Sequence, residues 1–196
     1  MNDACAFVLA GGQSSRMAQD KAFMQFQGLT LLERALATVR EVIPEARVVG
    51  SKEKFETFAP TVEDQFRGSG PLAGIHSALS ASAHEHNLIV AVDMPFLDAG
   101  FLRYLLQEAT LSQAIVTAPR EERGWQPLCA VYTRAFRPLA ESALQAGRNR
   151  IDPLFSEIAV RAIDEREMHQ HGFSPEIFRN LNTREEFERA VLIKKM

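Results

Sequence analysis

Residues 7–21 read FVLAGGQSSRMAQDK, an apolar run that breaks into two glycines, two serines, an arginine and a lysine. Extended back to Cys5, the apolar part predicts a buried strand over residues 5–10 that ends in a glycine-rich turn. In a parallel α/β sheet, ligands settle at the carboxyl ends of strands, so a turn of this kind is placed where an anion would bind. Gly11 and Gly12 carry no Cβ to hold backbone N–H groups away from a phosphate oxygen. Arg16 grips oxygens in a planar fork and Lys21 acts as a mobile point charge, a pairing suited to a triphosphate. The loop matches neither GxxxxGK[ST] nor GxGxxG, which argues against P-loop hydrolysis and Rossmann-type dinucleotide binding. Taken alone, it is also compatible with an ordinary turn bearing solvated charges.

Outward from that loop, short β-prone runs alternate with segments of helical period, the pattern of an α/β layer fold with a mostly parallel sheet. Strands are predicted at residues 5–10, 47–50, 88–92, 113–118, 127–132 and 160–163. Residues 29–42 place Leu32, Ala35, Leu36 and Val39 on one helical face, with Glu33, Arg34 and Arg40 largely outside it. Residues 72–83 and 98–109 read as further helices, the second with Asp98 as N-cap. Helices are also expected at 134–146, 150–157 and 183–192, the last with the capping-box spacing of Thr183 and Glu186.

The 196 residues fit one domain, 1–196, and no repeat or linker interrupts them. A 46% hydrophobic and 24% charged composition, with no long uncharged apolar run, predicts a soluble protein without a membrane span. The start, MNDACAFVLAGG, lacks a basic leader, so a cytoplasmic location is expected. A net charge of −3 argues against nucleic-acid partners. Cys5 and Cys129 lie in apolar runs without zinc or redox spacing and are read as buried thiols. His84 with His86, and His169 with His171, are read as exposed polar residues rather than a metal site; His76 is the fifth histidine.

Two other segments converge with the opening loop. In VAVDMPF, Asp93 follows the run at 88–92, where a carboxylate could hold Mg²⁺ or serve as a solvated or capping group. In GSGPLAGIHSAL, the Gly70–Pro71 turn leads into a helix whose first N–H groups are free; it is either a second anion contact or a plain loop-to-helix transition. Glycine loop, cation, carboxylate and helix start at successive strand ends point to nucleotidyl transfer, in which positioning and charge neutralisation do most of the work.

With these pieces assembled, the chain resembles the MobA-like nucleotidyltransferases, most closely the guanylyl-transferring members of molybdenum cofactor synthesis. The matching motifs are LAGGQSSRMAQDK (9–21), GPLAG (70–74), VDMP (92–95), QPLCAVY (126–132) and NLNTREEFERA (180–190). The resemblance implies a three-layer Rossmann-like nucleotidyltransferase fold. It further implies transfer of GMP from Mg·GTP to molybdenum-bound molybdopterin, with release of pyrophosphate. Leu9, Ala10 and Gly11 would contact guanine and ribose and Gly12 would complete the turn. Arg16 and Lys21 would hold the triphosphate, Asp93 the Mg²⁺, and Asp64 the nucleotide. Gly70, Pro71 and Leu72 of the second loop would line the nucleotide site, and Ser51 is the nearest counterpart of a polar residue common after the second strand. Asn180, Asn182, Arg148 and Arg150 would face the pterin substrate; as residues alone, the asparagines equally turn the chain, and exposed arginines after a glycine are common at helix ends, which favours solvent for Arg148 and Arg150. Partners so implied are GTP, molybdenum-molybdopterin, and transient contacts with cofactor-biosynthesis or molybdoenzyme proteins.

Ala18 stands where the family usually has glycine. Trp125 either stacks on a pterin ring or packs at the sheet edge. The alternatives are a cytidylyl-transferring or other small-molecule relative and a non-catalytic nucleotide-binding protein. GPLAG and Gly11 favour guanine over cytosine, and Arg16, Lys21 and Asp93 together favour an active enzyme.

Overall fold

The computed structural model describes residues 3–11 and 20–181. In chain order these form β1 (Ala4–Leu9), β2 (Gln25–Phe26), β3 (Leu29–Thr30), α1 (Leu31–Arg40), β4 (Ala46–Val49), α2 (Lys52–Phe55) and β5 (Thr61–Val62). There follow α3 (Pro71–Ala81), β6 (His86–Ala91), α4 (Ala99–Leu111), β7 (Val116–Glu121), β8 (Gly124–Trp125), β9 (Cys129–Thr133), α5 (Arg137–Gln145), β10 (Val160–Asp164) and α6 (Glu165–Gln170).

The main sheet runs β10-β7-β9-β6-β1-β4-β5, with β8 paired to β7. Along β1 successive side chains go to opposite faces. Ala6 and Val8 join the cluster built from α1 and α4, while Cys5 and Phe7 join the one built from α3 and α5. Both faces are therefore covered, which is why β1 and β6 read as continuous apolar runs. Trimming one of the fully buried leucines, such as Leu105→Ala on α4, should cost about 2–5 kcal/mol.

Helix ends follow their capping chemistry. Thr30 and Glu33 form a reciprocal capping box on α1, and Asp98 accepts from Phe101 N at 3.0 Å to start α4. The expected cap at Thr183 lies outside the described residues, as does the 183–192 helix. The sheet is mostly parallel, with β9 antiparallel to both β6 and β7. A two-residue turn between β7 and β8, where Glu121 pairs with Gly124, reverses the chain and sets that direction.

Several expected bounds shift. The strand expected at 113–118 begins only at Val116, because Ser112 caps α4 and bends the chain through its own hydroxyl to Ala114 N. The helix expected at 134–146 opens as a 3-10 turn over Arg134–Phe136 before α5. That expected at 150–157 is a 3-10 helix over Asp152–Glu157, with Pro153 in its first turn. Among the described residues, no helix is long and apolar enough to cross a membrane.

Candidate active site

A single register row crosses the centre of the sheet: Val62 pairs with Val49, Val49 with Leu9, and Leu9 with Ala91. Two residues beyond this row on each strand stand Asp64, Ser51, Gly11 and Asp93. The pleat and the pairing thus bring four of the sequence-identified residues to one edge, the carboxyl edge of β5, β4, β1 and β6. The row itself spans three inter-strand steps, about 14 Å.

A cavity of about 230 Å³ opens there, lined among others by Leu9, Gly11, Lys21, Asp64, Gly70 and Asp93. A shallower groove of about 570 Å³ adjoins it between α2 and residues 63–71, and adds Ser51, Lys54 and Arg67. Lys21 opens a 3-10 helix, Lys21–Phe23, whose N-cap Asp20 accepts from Ala22 N. Its ammonium stands 3.4 Å from Asp93 Oδ2, and Asp20 pairs with Lys54 at 2.9 Å. Asp93 follows β6, whose sheet register carries on through Val92 N to Leu9 O at 3.1 Å. Leu181 N donates to Asp93 O at 3.2 Å, which draws Asn180 to the same place. Asn180 Oδ1 is buried without a hydrogen-bond partner among the described residues.

Asp64 leans back over the turn. A methyl group on Gly11 would lie 3.5 Å from Asp64 Oδ2, and one on Gly74 would lie 3.7 Å from Asp64 Oδ1. Oδ1 is itself buried without a partner among the described residues, and burial raises the carboxyl pKa. Gly11 donates its N–H to Val49 O at 3.1 Å. Gly50 is also constrained, since a Cβ there would come within 2.7 Å of the Phe55 ring. Pro71 begins α3 with no side-chain cap at Gly70, so the helix presents its N-terminus to the cavity.

The other expected residues divide. Ala10 lines both cavities, whereas Leu72 lines neither and its side chain is fully buried in the core. Gly12, Arg16, Ala18 and Asn182 lie outside the described residues. Arg148 and Arg150 line neither cavity; they follow α5, and Arg148 donates to Glu157 at 2.9 Å. Trp125 packs at the sheet edge, edge-on to Phe155 and 5.1 Å under the Arg120 guanidinium. Cys5 and Cys129 are free and buried, with the Cys5 thiol pushed up to about 12 mainly by desolvation. His84 bridges Asp3 and Glu45, and His171 stacks on Tyr104. Among the described residues, no three His, Cys, Asp or Glu side chains gather as a metal cluster.

Sequence reading missed Asp20 as the partner of Lys54, and Gly74 as the floor beneath Asp64. The second had a signal, a glycine in the middle of a helical stretch, which costs helix propensity and often marks close approach.

The pattern of the MobA-like NTP transferase domain matches residues 6–170. The chain is 32% identical to a molybdenum cofactor guanylyltransferase of Desulfosudis oleivorans, over 97% of this chain and 95% of that one. A probable molybdenum cofactor guanylyltransferase of Methanosarcina acetivorans is 34% identical, over 95% and 89%. The crystal structure of molybdopterin-guanine dinucleotide biosynthesis protein A from Archaeoglobus fulgidus superposes with a TM-score of 0.83 at 25% identity, covering 97% and 99% of the two chains.

Proposed function

Because the chain belongs to the MobA-like NTP transferase domain family, we propose that it transfers GMP from Mg·GTP to the terminal phosphate of molybdenum-bound molybdopterin. The products are the guanine dinucleotide cofactor and pyrophosphate. One observation carries the reading: Lys21, Asp93 and Asp64 converge on one cavity around Gly11 in a chain with near-full-length guanylyltransferase relatives.

An oxygen of the acceptor phosphate attacks the α-phosphorus of GTP. The new P–O bond forms as the bond from the α-phosphorus to the bridging oxygen breaks, and the electron pair leaves with pyrophosphate. Lys21, with Arg16, offsets the charge that gathers on the leaving phosphates. Asp93 holds Mg²⁺. The donor set fits, since Mg²⁺ takes hard oxygen ligands, keeps several waters and needs only one or two carboxylates beside substrate phosphates. When bound, the metal neutralises phosphate charge and makes pyrophosphate a better leaving group.

The backbone from Leu9 to Gly12 holds guanine and ribose, and Asp64 and Ser51 close the nucleoside end. The α3 N-terminus, where Gly70, Pro71 and Leu72 stand, offers the backbone N–H of Leu72, Pro71 having none, and a favourable dipole to the anion. Asn180 and Asn182 face the acceptor. Arg148 and Arg150 carry less of the reading, since Arg148 is already engaged by Glu157. The enzyme works in the cytoplasm and meets cofactor-biosynthesis or molybdoenzyme proteins transiently.

Pyrophosphate release, measured with each of the four nucleoside triphosphates, Mg²⁺ and molybdenum-molybdopterin, tests the assignment. Release with GTP alone is expected; release with CTP but not GTP would contradict it.

A further inference from the structure

The α3 helix breaks the rule that an interior helix face is apolar, for it buries His76 and Ser77 almost completely. Both polar side chains meet the same short segment, the turn that carries Asp64. Ser77 Oγ accepts from Gln65 N at 3.0 Å, one residue beyond Asp64. The His76 ring stands edge-on to Phe66, with centroids 5.1 Å apart and planes at 81°. Neither His76 nitrogen has a hydrogen-bond partner among the described residues. Glu141 is 4.0 Å away, and desolvation holds the imidazole below its ordinary pKa, so it stays neutral at pH 7. Gly70, Gly74 and Ser77 follow the i, i+4, i+7 spacing of one helical face, and Gly74 is the residue that lies against Asp64 Oδ1.

Burying two polar side chains in a helix is costly unless each does something there. Core packing alone is better served by alanine at position 77, and the Ser77 hydroxyl finds its partner on the backbone next to Asp64. Without that acceptor, the turn would lose its hydrogen bond to α3 and keep the packing of Phe66 on His76. Asp64 Oδ1 has no hydrogen-bond partner among the described residues to keep it against Gly74.

We propose that Ser77, together with the His76–Phe66 contact, forms a positioning pair that seats the Asp64 turn on α3 and sets the affinity for nucleotide. The inference rests on the reading of Asp64 as a nucleoside-binding carboxylate. The positioning residues act through Asp64 and touch no reacting atom, so their loss raises KM for GTP and leaves kcat nearly unchanged.

A double-mutant cycle tests this, with Mg·GTP binding followed by titration calorimetry and turnover measured alongside. Asp64→Asn should weaken GTP binding about tenfold. Ser77→Ala should weaken it three- to tenfold, with kcat within twofold of the parent. In the Asp64→Asn background, Ser77→Ala should add less than twofold, because the carboxylate it positions is gone. Phe66→Leu, on the half-buried turn rather than in the helix, should reproduce the same pattern if Ser77→Ala folds poorly. An equal loss with and without the Asp64 carboxylate, or parental affinity in Ser77→Ala and Phe66→Leu, would overturn the inference. Parental GTP affinity in Asp64→Asn would overturn the Asp64 reading and this inference with it. Preference for CTP would overturn the guanylyl assignment alone, since the cycle can then be read with CTP.

Discussion

Two charged clusters in this molecule differ in how fully their polar groups are satisfied. At the β10 edge, Arg161 donates to Glu108 Oε2 at 2.6 Å and to Glu167 Oε2 at 2.9 Å, while the Tyr104 hydroxyl donates to Glu167. Hydrogen bonding from Arg161 holds the Glu167 carboxyl below its usual pKa, and every member of the cluster has a partner. At the carboxyl edge of β5, β4, β1 and β6, by contrast, Lys21 and Asp93 stand 3.4 Å apart, and Asp64 Oδ1 and Asn180 Oδ1 have none among the described residues. A closed network serves the fold. An open one leaves bonding capacity for a ligand, at some cost to the stability of the free protein.

The contrast breaks most sharply at Asp93. Asp93→Ala should lower kcat by about 10³-fold or more, because the residue proposed to hold the metal is lost. Its melting temperature should stay within a few degrees of the parent, and a fully active variant would remove Asp93 from the chemistry. The opposite profile is expected at the closed cluster. Arg161→Ala should cost roughly 1–3 kcal/mol in urea unfolding, since Glu108 and Glu167 are left together without their shared cation. KM for GTP should not change. The Glu167 contribution in the parent should fade as pH falls through its lowered value, and the variant should show less of that acid sensitivity, keeping the share that the Tyr104 hydrogen bond supplies.

The smallest effect sharpens the comparison from the other side. Burial raises the Asp64 pKa, so the native state holds more protons than the unfolded chain between the ordinary carboxylate value and the raised one. Stability therefore falls as pH rises through that window. In the absence of nucleotide, Asp64→Asn should raise Tm by about 1–2 °C at pH 7, with the gain vanishing below the ordinary carboxylate range. Scanning calorimetry across pH checks it; a destabilised variant at pH 7 would place Asp64 among the closed, structural charges.

The legibility of the chain follows from which interactions are local. β1 was readable because both its faces are buried, and α1 and α4 because an apolar stripe and a cap agree. The direction of β9 was not, since a strand buried on both faces reads the same whichever way it runs, and a two-residue turn after β7 decides. β5, α2 and α6 span only two, four and six residues, too short to show a period. In the site, Lys21 and Asp93 announced themselves as charges at strand ends. Ser77 and His76 did not, because their meaning lies in a turn some ten residues earlier that only the folded chain brings against α3.

Label tracking in a single turnover tests guanylyl transfer most directly. With GTP labelled at the α-phosphate, Mg²⁺ and molybdenum-molybdopterin, label should appear in a pterin dinucleotide, while label at the γ-phosphate should leave only in pyrophosphate. Recovery of the γ-label as inorganic phosphate, with the α-label still on a guanosine nucleotide, would contradict the account.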